Sequence, residues 1–238
     1  MPLPLVNSPI HETVLPSSGA KVKFRQFLVG EEKILLIALE DGSEEAFVDG
    51  IKTILSRVLQ TPLDLDNLPM VDIEHLFLQL RANSVGEVIE MRYTCKGVFD
   101  GKTCGNDIEV NVPIKDIEVL NKDTQHKIIL YGDIGVVMKY PKFGRLQKIM
   151  KMDVNNTNEV FEVIADSIDS IFDNDQIYRT FSKQELEDFI TSLPSGSLDK
   201  FLNFLLNAPQ HYYKAEFQCR KCGNTGELEY KGLSDFFE

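Results

Sequence analysis

Four cysteines are the residues of this 238-residue chain whose spacing predicts chemistry. Cys219 and Cys222 lie in "FQCRKCGNTGELEY", separated by two residues, and glycine follows the second cysteine. Cys95 and Cys104 lie in "YTCKGVFDGKTCGNDIEV", where glycine again follows the second cysteine. Thiolates are preferred zinc ligands, and four of them complete the tetrahedral shell of a structural zinc ion. We therefore expect a structural Zn2+ ion held by Cys95, Cys104, Cys219 and Cys222.

Two alternatives to zinc remain open for these cysteines: four ordinary thiols, two of them buried, or a disulfide pair. The eight residues between Cys95 and Cys104 exceed the usual two to four of a zinc knuckle. No secretion signal opens the chain, which favours a reducing compartment and disfavours disulfides. A redox role for Cys219 and Cys222 is disfavoured because no βαβ pattern surrounds them. Four thiolates leave zinc no open coordination position, so the predicted site is structural and not catalytic.

Both cysteine pairs are flanked by residues that alternate between apolar and polar. Before Cys95 the run "VIEMRYT" alternates in this way, and after Cys104 the residues Ile108, Val110 and Val112 alternate with polar neighbours. Alternation on both sides of a short turn predicts a β-hairpin. The expected fold class is α+β: a small antiparallel sheet with a four-cysteine zinc-ribbon-like clasp formed by two distant hairpins, plus N-terminal helices and an inserted helical segment.

Apolar residues at helical spacing predict the helices of this fold. Three N-terminal helices are expected, the first from Glu31 to Gly42 and the second from Ser43 towards Pro62. In the inserted segment one stripe is formed by Val160, Ile164, Ile168 and Ile171, and Ser182 with Glu185 forms a capping-box pattern. The expected division is 1–28, an extended N-terminal arm and first strand; 29–149, a mixed α/β core with the first knuckle; 150–210, the inserted helical segment; and 211–238, the second knuckle and C-terminal tail.

The two ends of the chain are predicted to contact partners. Residues 1–20 carry four prolines and no helical period, yet they contain aliphatic residues that a disordered tail usually lacks. We expect residues 2–28 to lie along a partner as an extended arm. Phe236 and Phe237 in the terminal "SDFFE" are expected either to face a partner or to pack beside the zinc sheet.

Charge and motif content disfavour several function classes. The net charge of −12 repels the phosphate backbone, so nucleic acid is an unlikely partner, although cations lie beside the cysteines at Lys96, Lys102, Arg220 and Lys221. No apolar run reaches 18 residues, so no membrane span is expected. No glycine-rich phosphate loop or His-Glu-x-x-His motif is present, and His75 is interpreted as a helix-surface residue. His211 lies near the second cysteine pair, but four cysteines already suffice. We therefore expect no catalytic residues, no small-molecule substrate and no enzyme activity.

Several segments resemble a known protein family. They are "LPSSGAKVKFRQFLVGEEKILLIALE", "LFLQLRANSVGEVIEMRYTC" and "DIGVVMKYP", which together with the C-terminal cysteine pair span roughly residues 15–145 and the chain end. They resemble the baseplate hub subunit or hub assembly protein family of T4-like contractile-tailed bacteriophages. Segment 150–207 matches less clearly. The family varies in its cysteines, so the zinc ligands are assigned from their own spacing.

The resemblance implies a structural or assembly protein of the tail baseplate hub, located in the virion or in the host cytoplasm during assembly. Its partners would be other baseplate and hub proteins. An alternative is a nucleic-acid-binding zinc-ribbon module, which needs an exposed basic and aromatic face near the knuckles. A third hypothesis is a hydrolase, which needs an apolar cleft with a paired carboxylate and histidine.

Overall fold

A computed structural model describes residues 8–145, 157–174 and 176–236. These residues form an α+β protein that divides into two compact units. The first unit lies within Met1–Asp64, Val71–Leu120 and Gln210–Glu238, and the second within Leu65–Met70 and Asn121–Pro209. The second unit thus begins before the predicted helical segment 150–210 and contains strands as well as helices. The predicted four-part division of the chain stays a prediction.

The first unit contains strands at both ends of its sequence and three longer helices between them. Its elements are β1 (Ile10–Val14), β2 (Lys21–Arg25), α1 (Val29–Asp41), α2 (Glu44–Val58), α3 (Met70–Ser84), β3 (Val88–Thr94), β4 (Val98–Phe99), β5 (Lys102–Thr103), β6 (Asp107–Pro113), β7 (Glu118–Leu120), β12 (Gln210–Gln218), β13 (Thr225–Lys231) and α7 (Gly232–Asp235). The three predicted N-terminal helices are therefore confirmed as α1, α2 and α3. Ser43 caps α2, where its hydroxyl accepts a hydrogen bond from the Ala46 amide.

Each cysteine pair lies on an antiparallel hairpin, as the alternation predicts. In the first hairpin, β3 pairs with β6 from Val88 opposite Pro113 to Thr94 opposite Asp107. In the second, β12 pairs with β13, and β7 extends this sheet along the start of β12. The prediction of a single small sheet is wrong, because β3 and β6 form a two-stranded sheet separate from β13, β12 and β7.

The N-terminal segment is a hairpin of the folded unit where the structure describes it, so its residues 10–25 do not form a single extended arm, and the predicted contact of residues 2–28 with a partner stays a prediction. β1 pairs with β2 along five residues, and Leu15, Val22 and Phe24 are buried. The Lys23 carbonyl also accepts a hydrogen bond from the Gln60 amide. These apolar side chains fill the core of their own unit, so they are not available to a partner. Residues 1–7 lie outside the described part of the chain.

The second unit packs helices against a four-stranded sheet. Its elements are β8 (Lys127–Tyr131), β9 (Ile134–Met138), α4 (Thr157–Asp166), β10 (Ile168–Asp173), β11 (Gln176–Tyr178), α5 (Lys183–Ser192) and α6 (Gly196–Leu206). The sheet order is β11-β10-β9-β8, with antiparallel neighbours. Its core holds the buried side chains Leu130, Val136, Met138, Ile164, Ile168, Ile171, Leu186, Ile190, Phe201 and Phe204.

The predicted helical stripe in this unit changes to strand part-way along. Helix α4 ends at Asp166, and the Ser167 hydroxyl donates a hydrogen bond back to the Val163 carbonyl. Ile168 and Ile171 therefore lie on β10, where they pair with β9, and their assignment to a helix is wrong. Isoleucine and phenylalanine favour half-buried strands. Pairing with β9 therefore stabilises a strand here, although the apolar residues have the spacing of a helix. The Ser182–Glu185 capping box at the start of α5 is confirmed.

Candidate metal centre

The four cysteine sulfurs converge on one point of the first unit. The Sγ atoms of Cys95, Cys104, Cys219 and Cys222 all lie within 4.8 Å of one another. The Cys95 and Cys222 sulfurs are 3.6 Å apart, and the Cys104 and Cys219 sulfurs are 3.8 Å apart. Three of the cysteines are buried, Cys222 is partly buried, and all four are free of disulfides. Both of these pairs join one hairpin to the other, so the cluster connects two segments more than 100 residues apart in sequence.

Tight turns after each strand point the sulfurs at one another. Cys95 follows directly after β3, and Cys219 follows directly after β12. Gly105 and Gly223, which follow the second cysteine of each pair, have φ angles of 61° and 74°. This left-handed conformation favours glycine, and it reverses the chain at the point where the second sulfur must turn inward. The Gly105 and Gly223 amides then donate to the carbonyls of Cys95 and Cys219, at 3.1 and 2.9 Å.

Nitrogen donors surround the Cys95 sulfur. The Gly97 amide donates to it at 3.4 Å, and the Asn224 side-chain amide donates to it at 3.8 Å from the opposite hairpin. Outer hydrogen bonds of this kind orient a metal-binding sulfur and partly compensate its negative charge. Lys221 adds a cation nearby, where its Nζ donates to the Cys104 carbonyl and lies 5.4 Å from the centre of the Phe99 ring.

Gly97 lies close to the second hairpin. A Cβ atom at this position would lie 2.8 Å from Cβ of Asn224 and 3.0 Å from Sγ of Cys222. The first of these distances is shorter than carbon atoms tolerate without displacement. A side chain at position 97 is therefore excluded because it would push the second hairpin away from the sulfur cluster.

The thiols have unequal proton affinities because they share a small volume. Hydrogen bonds from the Cys222 backbone outweigh burial and lower the pKa of Cys219 to about 6. At Cys222 the Asn224 amide lowers the pKa, but burial and the three neighbouring thiols outweigh it and raise the pKa to about 12. One sulfur thus carries negative charge readily and discourages ionisation of its neighbour. A divalent cation at the centre of the cluster would remove this conflict, since it stabilises several thiolates together.

The geometry fits a zinc ion. A tetrahedron with Zn–S bonds of about 2.3 Å has sulfur–sulfur edges of about 3.8 Å. The two measured cross-hairpin distances of 3.6 and 3.8 Å agree with this edge. Four sulfurs without oxygen or nitrogen ligands suit Zn2+ better than hard cations such as Mg2+ or Ca2+. In the part of the chain that the structure describes, these four cysteines are the group of three or more His, Cys, Asp or Glu residues whose ligand atoms could share one metal ion.

His75 and His211 are not members of the cysteine cluster and form a separate, largely buried network that the sequence did not reveal. His211 is 3% exposed, and its backbone amide and Nδ1 both lie within hydrogen-bond distance of Oε2 of the buried Glu74. His75 stacks on His211 with ring centres 5.8 Å apart, and its Nε2 lies 2.8 Å from Oγ1 of Thr13. The interpretation of His75 as a helix-surface residue is therefore wrong. Burial, with a smaller contribution from His211, lowers the pKa of His75 to about 4.

Of the two phenylalanines at the C-terminus, the structure describes Phe236. Phe236 is 1% exposed, and its ring centre lies 6.1 Å from that of Tyr230. Phe236 therefore belongs to the core beside β13, and its assignment as partner-facing is wrong. The spacing of three residues between Leu233 and Phe236, both buried, is the sequence signal that indicates this packing. Phe237 lies outside the described residues.

A family model described as "T4 bacteriophage base plate protein" matches residues 8–238. The chain belongs to this family. It is also similar to the baseplate hub assembly protein gp26 of Enterobacteria phage T4, with 26% identity over 223 residues, which is 92% of this chain and 94% of the relative. No solved structure matches it. The resemblance read from the sequence segments is thereby confirmed.

Membership of this family bears on the remaining function classes. In the described residues no helix has the length and apolar character needed to cross a bilayer. A family of baseplate proteins indicates a structural role and gives no support to a hydrolase or to a nucleic-acid-binding zinc ribbon. Lys221, one of the cations beside the cysteines, is already engaged with the Cys104 carbonyl and Phe99, which reduces the basic face such a module would need.

Proposed function

We propose that this chain is a structural or assembly protein of the phage tail baseplate hub, and that it acts through protein–protein contacts. The observation that carries the proposal is the match of the family model to residues 8–238. The similarity to a hub assembly protein over 92% of the chain supports the more specific hub role. Its partners would be other baseplate and hub proteins. It would be found in the tail baseplate of the virion, or in the host cytoplasm during assembly.

We further propose that Cys95, Cys104, Cys219 and Cys222 hold one structural Zn2+ ion. The support is the convergence of four free sulfurs within 4.8 Å and the absence of other donor atoms from that group. The ion would fix two hairpins whose sheets are not joined by backbone hydrogen bonds. It would leave no coordination position for substrate, which accords with a protein that acts by contact and not by catalysis.

Quantitative mass spectrometry of the phage tests the hub role. Purified virions and assembly intermediates from infected cells are searched for this chain and for known hub proteins. A fixed copy number per tail would support a built-in subunit, and presence only with hub intermediates would support an assembly factor. Absence from both fractions, while the chain is abundant elsewhere in the lysate, would overturn the proposal.

A further inference from the structure

Helix α1 carries large apolar side chains on an exposed face. The exposed fraction is 80% for Val29, 54% for Leu36 and 55% for Ile37, and Leu28 and Leu39 are also exposed. A surface helix normally has polar residues on its outer face, and a helix that is apolar on both sides is normally covered on both. Contiguous exposed apolar residues of this kind mark interaction sites. The outer face of α1 therefore has the character of a binding surface.

The opposite face of α1 packs on α2. Ala38 is buried, and its Cβ would lie 3.0 Å from a Cβ at Gly50 of α2, while the Ile34 side chain would lie 4.0 Å from the same point. At about 100° per residue, Ala38 lies opposite Val29 on the helix, and Leu36 lies within about 20° of Val29. The glycine therefore lets the two helices approach closely, and the face with Val29 and Leu36 points away from α2.

Two charged residues lie within this exposed face. Residues at spacings of four, three and four form one line along the helix, namely Val29, Lys33, Leu36 and Glu40. Lys33 and Glu40 are exposed, and within the described residues neither has an ion-pair partner. They lie about 10 Å apart along the helix axis, which is too far for a bond between them. The line therefore carries one cation and one anion that are both available to a binding partner.

The pattern of this line is self-complementary. Lys33 and Glu40 lie about 5 Å on either side of the midpoint between Leu36 and Ile37, measured along the helix axis. If a second copy of α1 packs antiparallel about a two-fold axis through that midpoint, Lys33 of each copy lies level with Glu40 of the other. The apolar residues at the midpoint then meet their own counterparts. A parallel pair would instead bring lysine to lysine and glutamate to glutamate, so the charges select the antiparallel pair.

The other carboxylates of α1 are compatible with this pairing. Glu31 is buried and forms an ion pair with Arg25 at 3.1 Å. Glu32 and Asp41 lie about 180° apart around the helix, and the two-fold axis places each flank against the same flank of the second copy, so these two carboxylates do not meet. A basic helix from another protein fits less well, because Lys33 in the contact line would face like charges.

We propose that α1 is the contact surface of a homodimer, in which two copies of this chain pack their first helices antiparallel across a two-fold axis. One self-complementary patch serves both copies in such an interface. Apolar contacts would supply affinity, and the two reciprocal ion pairs would select the orientation. A single helix pair covers less than the roughly 800 Å2 per partner of a standard interface, so we expect a dissociation constant of about 10–100 µM. The proposal stands apart from the hub assignment and from the metal.

Sedimentation equilibrium of the full-length chain tests the dimer directly. The protein is measured from about 1 µM to about 300 µM in about 0.15 M salt, which largely screens the long-range repulsion between copies of net charge −12. We expect the average mass to rise from that of the monomer towards that of the dimer. A chain that stays monomeric at the highest concentration would overturn the proposal and leave the exposed face to a different protein.

Two leucine-to-lysine substitutions provide a matched pair of variants. Leu36 lies at the centre of the proposed contact, whereas Leu206 is an exposed leucine at the end of α6. Lysine favours helices about as well as leucine does, so neither change disturbs its helix. Leu36→Lys should weaken the dimer at least about tenfold and Leu206→Lys by less than about twofold, because only the first places a charge in the apolar contact. Equal effects of the two lysines would contradict the assignment of α1 as the contact surface.

Charge reversal tests the antiparallel orientation. Lys33→Glu and Glu40→Lys, each made alone, bring like charges together across the two-fold axis, and each should weaken the dimer about fivefold or more.

An equimolar mixture of these two single variants should form a heterodimer about as tight as the unmodified dimer, because every charge again meets its opposite. The double variant Lys33→Glu with Glu40→Lys, which keeps the net charge, should also dimerise like the unmodified chain. A mixture that associates no better than its components, or a Glu40→Lys protein that dimerises as tightly as the unmodified chain, would overturn the proposed pairing.

Discussion

At the scale of single residues, each cysteine of the cluster contributes one of four sulfurs to a site that is almost closed to solvent. Replacing Cys219 by serine leaves three sulfurs around the proposed ion, and a metal bound only in the folded state contributes its binding energy to folding. We expect Cys219→Ser to lose bound zinc and to lower the free energy of unfolding by about 3 kcal/mol or more, measured by urea denaturation. Gln218→Ser, a change at the exposed neighbouring residue, should leave both quantities unchanged. Equal stability and metal content of Cys219→Ser and the unmodified protein would contradict the clasp.

Gly97 tests the contact between the two hairpins without changing a ligand. An added methyl group would lie 2.8 Å from Cβ of Asn224, so Gly97→Ala forces the hairpins apart. We expect a loss of about 1–3 kcal/mol in thermal or urea unfolding. The control is Gly30→Ala, because nothing lies within 4 Å of a Cβ there, and alanine in a helix is neutral or stabilising. A Gly97→Ala protein as stable as the control would show that the hairpins do not pack as described.

His75 gives the first unit a dependence on pH. Its pKa falls to about 4 in the folded protein from an ordinary value of 6.5, mainly because of burial. The unfolded chain therefore binds a proton at higher pH than the folded chain does. The contribution of His75 is fully present above pH 6.5 and is lost as pH falls towards 4, by at most about 1.4 kcal/mol per pH unit.

His75→Gln isolates this contribution, since glutamine does not titrate in this range. Urea unfolding measured from pH 7 to pH 4 should show a steeper loss of stability for the unmodified protein than for His75→Gln. Parallel pH profiles for the two proteins would contradict a neutral, partly buried His75 beside His211.

At the scale of secondary-structure elements, the start of α5 offers a local test. The Ser182 hydroxyl accepts from the Glu185 amide at 3.2 Å, and Glu185 accepts from the Ser182 amide at 2.7 Å. Ser182→Ala should lower stability by about 1 kcal/mol in thermal or urea unfolding. The control is Ser192→Ala at the other end of the helix, where the hydroxyl only donates to the Phe189 carbonyl; its effect should stay within about 0.5 kcal/mol. Equal losses for the two alanines would contradict the capping box.

Elements set by short-range signals could be predicted from the sequence, whereas those set by distant partners could not. The alternation beside Cys95 and Cys104 identified the hairpin of β3 and β6, because strand period and turn glycines are local properties. Ile168 and Ile171 fit a helical stripe equally well, and only pairing with β9 decides for a strand. The first strand was expected, but its pairing with β1 was missed for the same reason, since Phe24 also bridges to Leu59, a residue well along the chain.

At the scale of the whole molecule, the cysteine cluster could be predicted because its residue type is rare and its two halves share one layout. The network of Glu74, His75 and His211 gave no comparable signal. Glu74 and His211 are separated by 137 residues, and neither lies in a motif. Their contact follows from the docking of β12 onto α3, which no local pattern encodes. The sequence therefore predicted the candidate metal site better than it predicted the core around it.

We propose that one metal ion joins two distant hairpins of this baseplate-family protein and so shapes its contact surfaces. X-ray absorption at the zinc edge, measured on the purified full-length chain, tests this claim most directly. We expect one zinc ion per chain with four sulfur ligands at about 2.3 Å. A folded chain that contains no metal, or zinc bound by oxygen and nitrogen ligands in place of sulfur, would contradict it.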